Sequence, residues 1–174
     1  MRTGKVVPQG SINFPGFVRV HSFTATGGET ETIKTGLDGD TAGEYIIWVS
    51  HKANDWLSIQ LNGDNGSNYG YETLENYSGA VAASGGALSR WRISYATGSN
   101  TGSGFVTLRT PSGMVKTIES QMTNYSTGTT VVFMTRTCGV WNNTANVTQI
   151  RAYLEAGTFT AGDKVIIFKR SSNT

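Results

Sequence analysis

Short runs in which apolar and polar residues alternate recur along this chain at intervals of roughly 8 to 14 residues, with glycine, asparagine and serine filling the gaps. A period of two fits an extended strand with one buried face. No long segment carries the 3.6-residue period of an amphipathic helix. The clearest case is residues 91–95, where Trp91, Ile93 and Tyr95 alternate with Arg92 and Ser94. Residues 45–49 form a continuous apolar run, which suits a strand covered on both faces. Further strands are expected over 17–23, 56–61, 69–74, 105–109, 114–120, 131–138, 147–154 and 164–169. Residues 74–88 read as a loop or edge strand, because Gly79, Gly85 and Gly86 oppose a helix. About ten strands at that spacing predict an all-β fold, a two-sheet antiparallel β-sandwich of jelly-roll type with little helix.

Between two of these runs lies LNGDNGSNY, residues 61–69. Asn62-Gly63 and Asn65-Gly66 reach positive φ at low cost, so the chain reverses within a few residues. Asn62, Asp64 and Asn68 are expected to bond the turn to itself, with the Tyr69 ring covering the edge of the core. Residues 1–16 stand apart from the periodic part. They hold Pro8 and Pro15 and place Val6, Val7, Ile12 and Phe14 outside it, which predicts an extended N-terminal arm available for intersubunit contact. The alternative is a first strand of the chain's own sheet. The sandwich then spans residues 17–174.

Charge and chemistry narrow the function. A net charge of +2, with no basic cluster beyond Lys169-Arg170, does not supply the phosphate contacts of a nucleic-acid protein. No stretch approaches the length of a membrane-spanning helix, and the N-terminus shows no apolar signal segment. The one cysteine, Cys138, lies in an apolar run and reads as a small packed hydrophobe. His21 and His51 are far apart in sequence, and no strand-turn-helix elbow presents a serine to either. Asp38-Gly39-Asp40 and the 62–64 turn crowd oxygen atoms, yet neither follows a calcium-loop pattern. No catalytic residue, metal ligand or cofactor is therefore assigned. Trp48 and Trp91, inside strong strands, are expected in the core. Trp56 and Trp141, at strand ends, are candidates for stacking on a sugar ring.

The segment WLSIQLNGDNGSNY at 56–69 resembles a segment of a jelly-roll domain found in tailed-bacteriophage virion proteins. The close is similar to that family's ending: GVW at 139–141, VTQIRAYL at 147–154 and GTFTAGDKVIIF at 157–168. Asp163 stands where the family usually has serine, and Phe168-Lys169 where it has Leu-Tyr. The resemblance covers about residues 23–169 and implies a non-enzymatic virion structural protein assembled in the bacterial host cytoplasm. Its most direct form is a trimeric capsid decoration or cement protein bound to the major capsid protein or another virion protein. The alternative is a carbohydrate-binding receptor-recognition module of a phage tail.

Overall fold

The computed structural model describes residues 12–52, 55–77, 80–96, 101–125 and 132–171. They form β1 (Phe17–Thr24), β2 (Glu31–Thr35), the single helical turn α1 (Gly39–Ala42), β3 (Glu44–His51), β4 (Trp56–Leu61), β5 (Tyr69–Tyr77), β6 (Ala80–Leu88), β7 (Trp91–Tyr95), β8 (Thr101–Arg109), β9 (Lys116–Tyr125), β10 (Val132–Trp141), β11 (Gln149–Leu154) and β12 (Lys164–Arg170). The expected strands are present, and 74–88 resolves into the end of β5 and the edge strand β6. Only β2 lacked a signal: its five residues hold a single large apolar side chain, Ile33.

All strand pairs are antiparallel, in two sheets of order β1-β12-β3-β8-β9-β10-β5-β6 and β2-β11-β4-β7. Without β5–β6 and β9–β10, every connection crosses from one sheet to the other except β4 to β7, which are paired neighbours in the smaller sheet. The remaining eight strands then lie as β1-β12-β3-β8 against β2-β11-β4-β7, which is jelly-roll order. The two hairpins are insertions. Because β5 pairs with β10, they join edge to edge and lengthen one sheet by four strands.

Alternation places Tyr45, Ile47 and Val49 of β3, Val106 and Leu108 of β8, and Val165 and Ile167 of β12 inside. They meet Leu57, Ile59, Leu61, Ile150 and Ala152 from the smaller sheet. In β1 a bulge between Arg19 and His21 changes the parity, so Val20 and Phe23 both reach the core. Trp91 is in the core as expected, but Trp48 is not. It lies half-buried on the outer face of the large sheet, because Tyr45, Ile47, Val49 and His51 hold the inward positions of β3.

The arm ends against its own domain. Phe14 packs edge-on against Phe168, with ring centroids 5.0 Å apart, and the Gly16 carbonyl accepts the Ser171 backbone N–H at 2.9 Å. Phe14 therefore contacts its own sheet, and Ile12 is half-buried. Val6 and Val7 lie outside the described residues.

In the added strands the inward face is mixed, with Tyr69, Ile118, Met122 and Trp141 still in the core beside buried hydroxyl side chains. One register row across the large sheet runs Ile47, Val106, Ser120, Thr137, Thr73, passing from apolar to hydroxyl side chains where the insertions begin. Thr135 and Thr137 are buried in β10, while Met134, Cys138 and Val140 face water. Cys138 is thus exposed, not packed: it shares the outward parity of the run with Met134 and Val140. The insertions are anchored to β7 by Trp91, whose Nε1–H donates to the Val140 carbonyl at 3.2 Å, and by the Thr137 hydroxyl, which donates to the Arg92 carbonyl at 3.2 Å.

Gly139 permits that approach. A Cβ there would stand 2.7 Å from Trp91 Nε1 and 2.8 Å from the Gly70 carbonyl oxygen. Gly139→Ala is expected to cost about 2 kcal/mol through overpacking, read as a lower urea midpoint. Gly113→Ala, whose Cβ meets nothing within 4 Å but whose φ is +67°, is expected to cost about 1 kcal/mol or less through backbone strain alone.

Candidate functional site

Three polar groupings occupy the described residues, beginning with the turn between β4 and β5. Asn62 adopts φ 53°, as an Asn-Gly turn permits, but its side chain does not close its own turn. Its Oδ1 accepts the backbone N–H groups of Thr148 at 2.9 Å and Gln149 at 3.0 Å, and its Nδ2 donates to the Asn146 carbonyl at 2.7 Å. It clamps the β10–β11 loop instead. Asp64 does bond the turn: it accepts the Gly66 N–H at 2.8 Å and the Asn68 amide at 3.0 Å. It also accepts the Trp141 indole N–H at 2.7 Å. Desolvation pushes the Asp64 carboxyl up, but the bonds from Asn68, Trp141 and Gly66 outweigh it and hold the carboxyl below its ordinary value.

Tyr69 is fully buried. Its ring meets Trp91 edge-on at 5.0 Å and stacks beside Trp141 at 6.1 Å. Its hydroxyl accepts the Leu61 N–H at 2.9 Å and donates to the Leu61 carbonyl at 3.1 Å. Burial raises its pKa, so the phenol stays protonated and serves both roles. Asp64 and Asn68 bond within the turn and Tyr69 packs in the core, whereas Asn62, expected to bond its own turn, reaches the 146–149 loop; that loop and Trp141 are partners the sequence did not show. Trp141 is also a correction. It is 1% exposed with its N–H committed to Asp64, so a sugar ring has no access to it.

The second grouping lies on the outer face of the smaller sheet. Glu155 receives two bonds from Arg90, at 2.6 and 2.8 Å, two from Arg92, at 2.9 and 2.7 Å, and the Ser58 hydroxyl at 2.7 Å. Desolvation raises the Glu155 carboxyl, and these donors together bring it down to about 2. Trp56 borders the knot half-exposed, with the Tyr95 ring 5.1 Å away and the Arg92 guanidinium 5.5 Å over its own ring. Arg151 adds an ion pair to Glu31 and sits 4.2 Å over Tyr153. None of this was legible beforehand, because the residues come from four separate segments.

The third grouping is interior. His51 Nε2 lies 3.0 Å from Ser94 Oγ, and the Ser94 hydroxyl donates to Asn124 Oδ1 at 3.4 Å. With the serine proton turned to Asn124, Nε2 carries the imidazole proton and donates to Ser94. A His–Ser contact of this length would suit nucleophile activation, but His51 and Ser94 are both 0% exposed. A Cβ on Gly102 would fall within 3 Å of His51, Ser94 and Asn124, so the cluster is closed by backbone. Asp38 is the N-cap of α1, accepting the Thr41 N–H. Among the described residues no group of three or more His, Cys, Asp or Glu side chains could hold a metal ion.

Two outcomes follow. Tyr69→Phe leaves the Leu61 N–H buried and unpaired, while the Leu61 carbonyl keeps the Asp64 N–H at 2.9 Å, and is expected to cost about 2 kcal/mol. Tyr153→Phe, half-exposed, should stay within about 0.5 kcal/mol of the wild type in the same urea titration.

Burial lowers His51 from its ordinary 6.5 to about 4. Above pH 6.5 the imidazole is neutral whether folded or unfolded. As pH falls from 6.5 towards 4 the unfolded chain takes up a proton that the fold refuses, so stability falls, by about 2–3 kcal/mol at pH 4.5. The urea midpoint at pH 7 and pH 4.5 measures this, and His51→Gln should reduce the drop between them by about that amount, leaving the smaller loss from groups such as His21 and Glu155.

No family model, curated protein or solved structure matches this chain.

Proposed function

We propose that this chain is a non-enzymatic structural protein of a phage virion, a decoration protein that attaches to the head shell through the outer face of its eight-stranded sheet. The observation that carries the reading is the set of apolar side chains that the added strands turn to solvent. Their inward positions hold Ser120, Thr135, Thr137 and Thr73 beside the apolar Ile118, Met122, Tyr69 and Trp141. Their outward positions hold Leu74, Val81, Met134 and Val140, which are 52%, 70%, 47% and 42% exposed. A sheet that only shielded its own core would turn polar side chains outward there, and exposed apolar bands of this kind mark interaction surfaces.

The face is also shaped. Gly70, Glu72, Arg109, Glu119, Cys138 and Val140 line an open groove of about 700 Å³. Jelly-roll strand order and the motifs at 56–69 and 139–168 support the virion assignment. In this reading the sheet binds the major capsid protein or another virion protein, and many weak copies together stabilise the shell.

Co-sedimentation with heads that lack the protein tests this. The wild type is expected in the pellet, while Leu74→Glu with Met134→Glu, which places two carboxylates on the apolar band, is expected to bind at least tenfold more weakly. Equal binding by the double variant would remove the face from the interface, and no binding by the wild type would remove the head assignment. One observation favours a second reading, a glycan-recognition module of a tail: Trp56 and Tyr95 stand at the surface beside Arg90, Arg92 and Glu155. That reading requires saccharide retention by the wild type and its loss in Trp56→Ala.

A further inference from the structure

The two sheets have four edge strands, and three are protected against pairing with another chain. β1 carries a bulge and Arg19. β2 is five residues long and holds Glu31 and Lys34. β7 has its free side against β10, bonded through its own Trp91 indole to the Val140 carbonyl and through the Thr137 hydroxyl of β10 to the Arg92 carbonyl. These are the recognised ways in which proteins blunt a sheet edge.

β6 has none of them. Its nine residues, AVAASGGAL, contain no charge and no proline. Their register against β5 runs unbroken from Tyr77–Ala80 to Tyr69–Leu88, without a bulge. Residues 81–87 are all exposed, on both faces of the sheet. Among the described residues the strand sits last in the order and pairs with β5 alone, which leaves its outer row of N–H and C=O groups without a strand partner there.

We propose that β6 pairs antiparallel with β6 of a second copy, about a two-fold axis at Ser84, which joins two eight-stranded sheets into one. The composition favours self-pairing. Around Ser84 the axis sets Ala83 against Gly85, Ala82 against Gly86 and Val81 against Ala87, small side chains throughout, with no like charges opposed. The nearest acidic strand, β5 with Glu72 and Glu75, would lie three strand spacings from its copy. That is about 14 Å, beyond the screening length of about 8–10 Å.

The two-fold contact uses the same surface on both partners and closes after two copies, so it builds no fibre. The paired strands span about 30 Å with little side-chain bulk, which puts the dimer at the weak end of specific interfaces, below about 1,200 Å². It forms and dissociates with concentration, and it is a two-fold pair in place of the three-fold assembly that the resemblance implies. The inference does not rest on the head reading, since self-association needs no capsid.

Sedimentation velocity of the full chain from about 1 to 500 µM, a range that brackets weak interfaces, reads the equilibrium. Hydrogen exchange at both ends of the range reads which amides become protected. The wild type is expected to shift from monomer to dimer, with protection gained in residues 80–88. Ser84→Lys and Ser84→Glu, each placing like charges opposite one another, are expected to remain monomeric with unchanged melting temperatures. Mixing the two variants is expected to restore the dimer. A wild type that stays monomeric throughout, a dimer that persists in Ser84→Lys, or protection that appears elsewhere than β6 overturns the proposal.

Discussion

The structure turns on the Tyr69 hydroxyl. Leu61 is the last residue of β4, and beyond it the chain leaves the smaller sheet to start an insertion in the larger one. A strand that ends inside a sandwich exposes backbone groups to an apolar interior, and each costs free energy unless it is paired. Tyr69 answers both groups of Leu61 with one oxygen, from eight residues away. Its ring meanwhile fills the space between Trp91 of β7 and Trp141 of β10. One side chain thus fixes where β4 stops, where β5 starts and how closely the added strands approach β7.

The hydroxyl side chains among the inward residues of the insertions are consistent with that arrangement. A second apolar core would have widened the contact with β7 and left hydroxyl groups to face outward. Short side chains such as Ser120, Thr137 and Thr73 let the backbone come near, and the Thr73–Thr137 contact of 3.0 Å supplies directional bonding in place of bulk. Buried polar rows of this kind select one register, because a slip leaves several groups unpaired at once. Lys116 extends the principle to the far end of the sheet. Fully buried, its ammonium donates to the carbonyls of Pro111 at 2.8 Å and Thr144 at 3.3 Å and so holds two loops together.

Fold class and most strands were legible in the sequence because period-two alternation survives in a sandwich. The Trp91-Arg92-Ile93 run announced its buried face directly. What failed was the assignment of inside and outside wherever apolar residues do not face the chain's own core. Cys138 and Trp48 were placed inward because hydrophobic runs usually are, and nothing local marks which parity of an apolar run faces the core. Trp141 was placed at the surface because a loop follows it, although its indole reaches back to Asp64. Asn62, Lys116 and Glu155 were opaque for a common reason: their partners lie in distant segments, and only the strand order brings them near. The turn at 61–69 was the most readable site, since Asp64, Gly66 and Asn68 satisfy each other within a few residues.

The pairing of β5 with β10 also bears on how such a fold is assembled over evolutionary time. The β9–β10 hairpin extends β8, a strand the jelly roll already possesses. The β5–β6 hairpin has no partner in the eight-stranded framework, because its attachment to the sheet is β10. The insertions are therefore not interchangeable: a lineage can hold the later one alone, but the earlier one alone would have no sheet to join. Among relatives of this chain, loss of residues equivalent to β9–β10 should carry the other hairpin away with it, and gain should run in the reverse order. The hairpin that comes first along the polypeptide thus takes its place in the sheet from the one that comes later.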